Sequence, residues 1–195
     1  VDAFERSLYN AYLGSINSEA VIEPTMEREF PHLHLEVLPF DSYSPLTAGV
    51  RGSMIGGFKI MPDDHYYGCC ACIGAAGIGL VPKMAIMKQE GGLRINLYSR
   101  GCYRTTTPGG EAVSLVLETN YPVGGRVQIC VDLDHDERFT ISCHKPAWSR
   151  ETRAWVNGQA VDVVGAGEDE QEAGPIVMDR CWRHGDRIEI ELDMR

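Results

Sequence analysis

From Gly92 to the C-terminus, apolar residues fall on every second position. Leu93, Ile95 and Leu97 form one run; Val113, Leu115 and Leu117 the next; then Val127, Ile129 and Val131. Phe139, Ile141 and Cys143 follow, then Ala154 and Val156, and last Ile188, Ile190 and Leu192. Side chains of a strand point alternately to its two faces, so this period buries one face and leaves the other wet. Turn formers separate the runs: Pro108-Gly109-Gly110, Gly124-Gly125, Asp134-His135-Asp136 and Asn157-Gly158. Short strands at regular spacing, with no helical period between them, predict an antiparallel β-sandwich over residues 92–195. Asn157-Gly158 predicts a tight hairpin.

The first 91 residues follow a different pattern. Phe4, Leu8, Tyr12 and Ile16 recur every fourth position, which predicts a helix that Asp2 can cap. Residues 18–68 show no helical period and carry five prolines, with a short strand expected where His32, His34 and Glu36 alternate with Leu33, Leu35 and Val37. A second helix is expected from Cys69 to about Lys88, with Ile73, Leu80, Met84 and Met87 on one face and Pro82 as a bend. Residues 165–174, GAGEDEQEAG, read as an acidic loop.

The stretch HYYGCCACIG places Cys69, Cys70 and Cys72 at the start of that second helix. The helix dipole and the unpaired N–H groups there favour thiolate, which is both the nucleophilic and the zinc-binding form of cysteine. Three readings stay open on these residues alone. Cysteine often packs as a small buried hydrophobe, and spacing alone puts this reading first. Part of a zinc site is the second, with His65 as a neighbouring candidate ligand. The third is a Cys69/Cys72 redox pair, although the βαβ context of such motifs is missing.

Charge narrows the partners. A net charge of −10 works against binding nucleic acid or an anionic membrane, which reward Lys and Arg. No apolar run is long enough to span a bilayer. Seven cysteines, an odd number, do not suit a secreted disulfide framework and point to a reducing compartment, the cytoplasm. His135, His144 and His184 have no partners at ligand spacing; Trp148, Trp155 and Trp182 read as sandwich core; Glu5 reads by pattern as a solvated helix residue.

Several stretches together resemble glycoside hydrolase family 127, the bacterial β-L-arabinofuranosidases and their relatives of unassigned function. FERSLYNAYLGSI at 4–16 is similar to the family's E-R-x-L-Y-N helix, DSYSPL at 41–46 to its aromatic hairpin, and YYGCC at 66–70 to its aromatic-x-x-C-C motif. TNYPVGGRVQICVD, KPAWSRETRAWVNGQ and RCWRHGDRIEIELDM resemble its later strands, in order. Ala71-Cys72-Ile73-Gly74 stands where many members carry Pro-Pro-Asn.

The resemblance implies an α + β chain: the last helices of an (α/α)6 barrel in residues 1–91, then the β-sandwich in 92–195, as a fragment of a larger protein. It implies a retaining hydrolase of L-arabinofuranosides or related glycans. Cys69 would be nucleophile and Zn²⁺ ligand, Cys70 a Zn²⁺ ligand, and Glu5 and Tyr43 sugar contacts. The acid/base and the remaining zinc ligands would lie upstream of Val1, leaving this chain alone inactive. Bared barrel faces on the two helices favour association into a homo-oligomer. The rival expectation is a non-catalytic carbohydrate-binding or structural sandwich, with Cys69 and Cys70 buried and metal-free.

Overall fold

The structure, a computed structural model, describes residues 1–13, 59–60, 66–67, 69–163 and 174–194; for 59–60, 66–67 and 69–75 it describes the backbone only. The chain forms two compact units, one of Ala3–Val81 and one of Val1–Asp2 with Pro82–Arg195. The stretches 18–58 and 165–173, with the expected strand near His32 and most of the acidic loop, lie outside the described residues.

In the first unit, helix α1 (Asp2–Arg6) does not continue as an α-helix. Ser7–Tyr12 is a π-helix, closed by the Leu13 N–H donating to the Leu8 carbonyl five residues back. Phe4, Leu8 and Tyr12 still turn inward, half-buried, buried and half-buried in turn; Glu5 is buried beside them and Leu13 is exposed. The solvated reading of Glu5 is therefore corrected: only 4% of it is exposed. A two-residue ladder pairs β1 (Lys59–Ile60) with β2 (Tyr66–Tyr67), and helix α2 (Cys69–Ala85) follows at once. The Asp2 carboxylate Oδ1 accepts the Ala147 N–H at 2.8 Å.

Helix α2 ends three residues before the expected Lys88. The Ala85 carbonyl accepts the N–H groups of Asn96 and Leu97, and the Asn96 side-chain amide donates to the Met84 carbonyl at 3.1 Å. Carbonyls that a helix end leaves open are thus filled from the chain about a dozen residues on. Released from the helix, Ile86–Gln89 becomes strand β3, paired with β4 (Gly92–Ile95) in the register Ile86↔Ile95. Leu80 and Met87, expected on the apolar helix face, are about half exposed.

The second unit is a β-sandwich. Strands β5 (Gly101–Thr106), β6 (Ala112–Thr119), β7 (Arg126–Leu133), β9 (Arg153–Val156), β10 (Gln159–Val161) and β12 (Arg187–Glu191) form a six-stranded antiparallel sheet ordered β10-β9-β12-β7-β6-β5. With β8 (Glu137–Cys143) and β11 (Ile176–Trp182), the second sheet runs β11-β8-β4-β3. The inner rows of both sheets meet in one core: Leu93 and Ile95 join Leu115, Leu117, Ile129, Ile141, Ile176, Trp182 and Ile188. Pairings such as Leu117↔Ile129 and Ile129↔Ile188 hold the register, since a one-residue slip would turn each row outward. The Trp182 indole N–H donates to the Phe139 carbonyl at 2.9 Å, so its one polar atom is satisfied inside the core.

One pairing departs from the antiparallel expectation. Strands β4 and β8 run parallel, with Gly92↔Thr140 and Ile95↔Cys143 in register. Parallel neighbours need a crossover, and here the chain makes it through β5, β6 and β7 of the other sheet. Gly92 permits the approach: a Cβ there would lie 2.0 Å from the Thr140 carbonyl oxygen. The Asn157-Gly158 turn is as expected, with φ of 51° and 78° in the left-handed region that a type I′ hairpin requires. Of the three tryptophans read as core, only Trp182 is fully buried. Trp155 lies between inward Ala154 and Val156 and so faces outward, half-buried; Trp148 is 40% exposed and stacks on Tyr121, ring centroids 6.3 Å apart.

Candidate functional site

Cys69 and Cys70 occupy the first two positions of α2, one residue after the short β1–β2 ladder. A 17-residue helix presents a full dipole at that end, and its first turn carries no acidic residue to compete for the open N–H groups. The backbone at that end of α2 is therefore electropositive. The side chains of Cys69, Cys70 and Cys72, and all of Tyr43 and His65, lie outside the described residues. Glu5 is described, buried on α1.

The helix that carries the cysteine pair and the segment that carries Glu5 pack within one unit. Tyr12 lays its ring over Gly77 of α2, where a Cβ would be 3.1 Å from Tyr12 Cε2. Gly77 is two helical turns past Cys69, about 12 Å along the axis at 1.5 Å per residue. The small residues of CCACIGAAGIG thus have a packing role: one of them admits an aromatic ring against the helix backbone.

The cysteines of the sandwich are a different population. Cys143 is fully buried, and desolvation pushes its thiol up to about 12, so it stays protonated and inert. Cys102 and Cys181 are exposed and Cys130 is half-buried, all as free thiols.

His144, read as an ordinary strand-end residue, is buried and sits in a polar setting. Its Nε2 has no hydrogen-bond partner and lies 3.6 Å from the Asp2 carboxylate. Its backbone is fixed on both sides, by N–H donation to the Ile95 carbonyl and by the Tyr98 hydroxyl donating to its own carbonyl. Burial lowers its pKa below the usual 6.5; Asp2 opposes that shift, while Arg94 adds to it. No signal in the sequence marked it, because alternation from the inward-facing Cys143 would turn residue 144 outward. His184, by contrast, is exposed and bonds Asp132 at 2.8 Å.

Comparison with known proteins bears on the whole arrangement. The profile described as the β-L-arabinofuranosidase, GH127 middle domain matches residues 92–194. A GH127 β-L-arabinofuranosidase from Geobacillus stearothermophilus superposes with a TM-score of 0.65 at 21% identity, over 98% of this chain and 27% of that one. A structure described as a glycoside hydrolase gives 0.61 at 21% identity, over 97% and 28%. A further GH127 β-arabinofuranosidase gives 0.54 at 21% identity, over 65% and 22%. At such identity these likenesses show the fold, and the chain spans about a quarter of the length of each of these structures. No curated protein matches the chain.

Proposed function

Because the chain belongs to glycoside hydrolase family 127, we propose that it is the part of a retaining β-L-arabinofuranosidase-like enzyme that carries the nucleophile, Cys69. The observation behind this reading is that Cys69 and Cys70 open α2, at a helix N-terminus free of acidic residues. Residues 1–91 are read as the last helices of an (α/α)6 barrel.

The donor chemistry fits zinc in part. Two thiolates are good zinc ligands but fill half of the usual four positions. Cys69 and Cys70 would hold the ion, with the other ligands supplied from outside residues 1–195. Bound there, zinc keeps both sulfurs deprotonated at neutral pH.

The reaction needs two displacements. Cys69 Sγ attacks the anomeric carbon; the glycosidic C–O bond breaks, and the leaving oxygen takes a proton from a general acid. Water then attacks the same carbon, the C–S bond breaks, the conjugate base accepts the water proton, and configuration is retained. Glu5 and Tyr43 are assigned to sugar hydroxyls. Buried Glu5 suits that task, because a carboxylate in a dry site forms stronger hydrogen bonds than one in water. The acid/base is placed outside residues 1–195.

The test is a pair of substitutions in the complete enzyme. Cys69→Ser abolishes hydrolysis of p-nitrophenyl β-L-arabinofuranoside, whereas Cys70→Ser mainly lowers bound zinc. Wild-type turnover by Cys69→Ser would remove the cysteine mechanism.

A further inference from the structure

We propose that the outer face of the six-stranded sheet is an oligosaccharide-binding surface, organised by a row of four residues on adjacent strands. Trp155 on β9 is directly opposite Glu189 on β12, Glu189 is opposite Gln128 on β7, and Gln128 is opposite Glu118 on β6. All four side chains alternate with core residues and so share the outer face. At about 4.8 Å between strands the row is about 14 Å long, room for roughly three sugar units in line.

Two grooves lie along this row and share Glu189. One of about 390 Å³ is lined by Arg126, Trp155, Gly158, Glu189, Ile190 and Glu191. The other, of about 220 Å³, reaches Glu118, Gln128 and Arg187. The first falls in the size range of small-ligand sites, about 300–1,000 Å³.

The chemistry of the row selects an uncharged ligand with an apolar face and many hydroxyls. Its charges are met internally: Arg126 pairs with Glu189 at 3.3 Å, Arg153 with Glu191 at 3.2 Å, and Arg100 with Glu118 at 3.0 Å. One positive charge, Arg187, remains in the second groove, a weak field beside the three ion pairs. The paired carboxylates and the Gln128 amide still offer lone pairs and N–H groups to vicinal hydroxyls. The half-buried Trp155 presents an electron-rich π face, suited to the C–H face of a sugar ring. The choice of a glycan among such ligands rests on the glycoside hydrolase reading above; the row and its grooves do not.

The test is an NMR titration of the 195-residue chain with L-arabinotriose and, in parallel, xylotriose at millimolar concentration. The Trp155 indole N–H and the Gln128 side-chain amide should shift saturably with at least one of the two, while the buried Trp182 indole does not move. Trp155→Ala and Gln128→Ala should each weaken binding fivefold or more; the second alters an exposed residue and leaves the core intact. No saturable shift with either sugar, or binding that survives both substitutions, overturns the proposal. The cysteine mechanism is read separately, on a monomeric glycoside in the complete enzyme, so either idea can fail while the other stands.

Discussion

Gly77 of α2 lies under the ring of Tyr12: a Cβ at 77 would meet Tyr12 Cε2 at 3.1 Å, a few tenths of an ångström tighter than ordinary contact. This contact packs the cysteine-bearing helix against the segment that follows Glu5. Gly77→Val should destabilise the complete enzyme by about 1–3 kcal/mol through overpacking. It should also lower hydrolysis, because α2 must shift as a unit. Gly77→Ala is milder, since the gain of about 1 kcal/mol in helix propensity offsets a contact a few tenths of an ångström too close. Thermal melts and turnover of the two variants check the order.

The parallel β4–β8 pairing gives a sharper prediction. Gly92→Ala drives a methyl group to 2.0 Å from the backbone oxygen of Thr140, which no rotamer change relieves. A loss of about 3 kcal/mol or more is expected, at the upper end for overpacking. Gly158→Ala places its methyl in open space and is penalised only for its positive φ of 78°. Urea unfolding should show the loss to be much larger at 92 than at 158.

Among the tryptophans, Trp182→Ala should cost about 3–5 kcal/mol, because the side chain is fully buried and its N–H holds the Phe139 carbonyl. Trp155→Ala should cost far less, since the indole is on the outer face. Equal losses would mean that Trp155 belongs to the core.

His144 sets a pH dependence. Its pKa is lower in the folded state than the unfolded value near 6.5, chiefly through burial. Below 6.5 the unfolded chain therefore binds a proton that the folded chain still refuses. Stability is full above 6.5 and falls as pH drops from there toward the folded pKa. His144→Gln should flatten this part of the stability curve between pH 7 and pH 5. Asp2→Asn should steepen it, by removing the carboxylate that favours imidazolium. Urea midpoints at a series of pH values measure both effects.

Residues 1–195 on their own should retain little zinc after dialysis and should not hydrolyse p-nitrophenyl β-L-arabinofuranoside. Two thiolates leave half a coordination sphere open. Elemental analysis and a direct assay decide this. Stoichiometric zinc with turnover would place the missing ligands and the proton donor within this chain.

What the sequence determined by itself is what depends on neighbours along the chain. Alternation placed Leu115, Ile129, Ile141 and Ile188 inside, and the same alternation around Trp155 turns it outward between Ala154 and Val156, against its reading as core. Asn157-Gly158 specified its own turn through residues that tolerate positive φ. The motif order from YYGCC to RCWRHGD carried the family. Strand β5 was not legible, because an edge strand reading GCYRTT buries too little to show a period. Strand β11 was obscured by Asp179 and Arg180, although Arg180 lies over the Trp182 ring at 5.3 Å. Only the tertiary structure decided that β4 runs parallel to β8, that Asn96 ends α2 at Ala85, and that Glu5 and His144 are buried. Sheet partners, borrowed helix caps and loss of water around a charge all come from residues distant in sequence, and no local period records them.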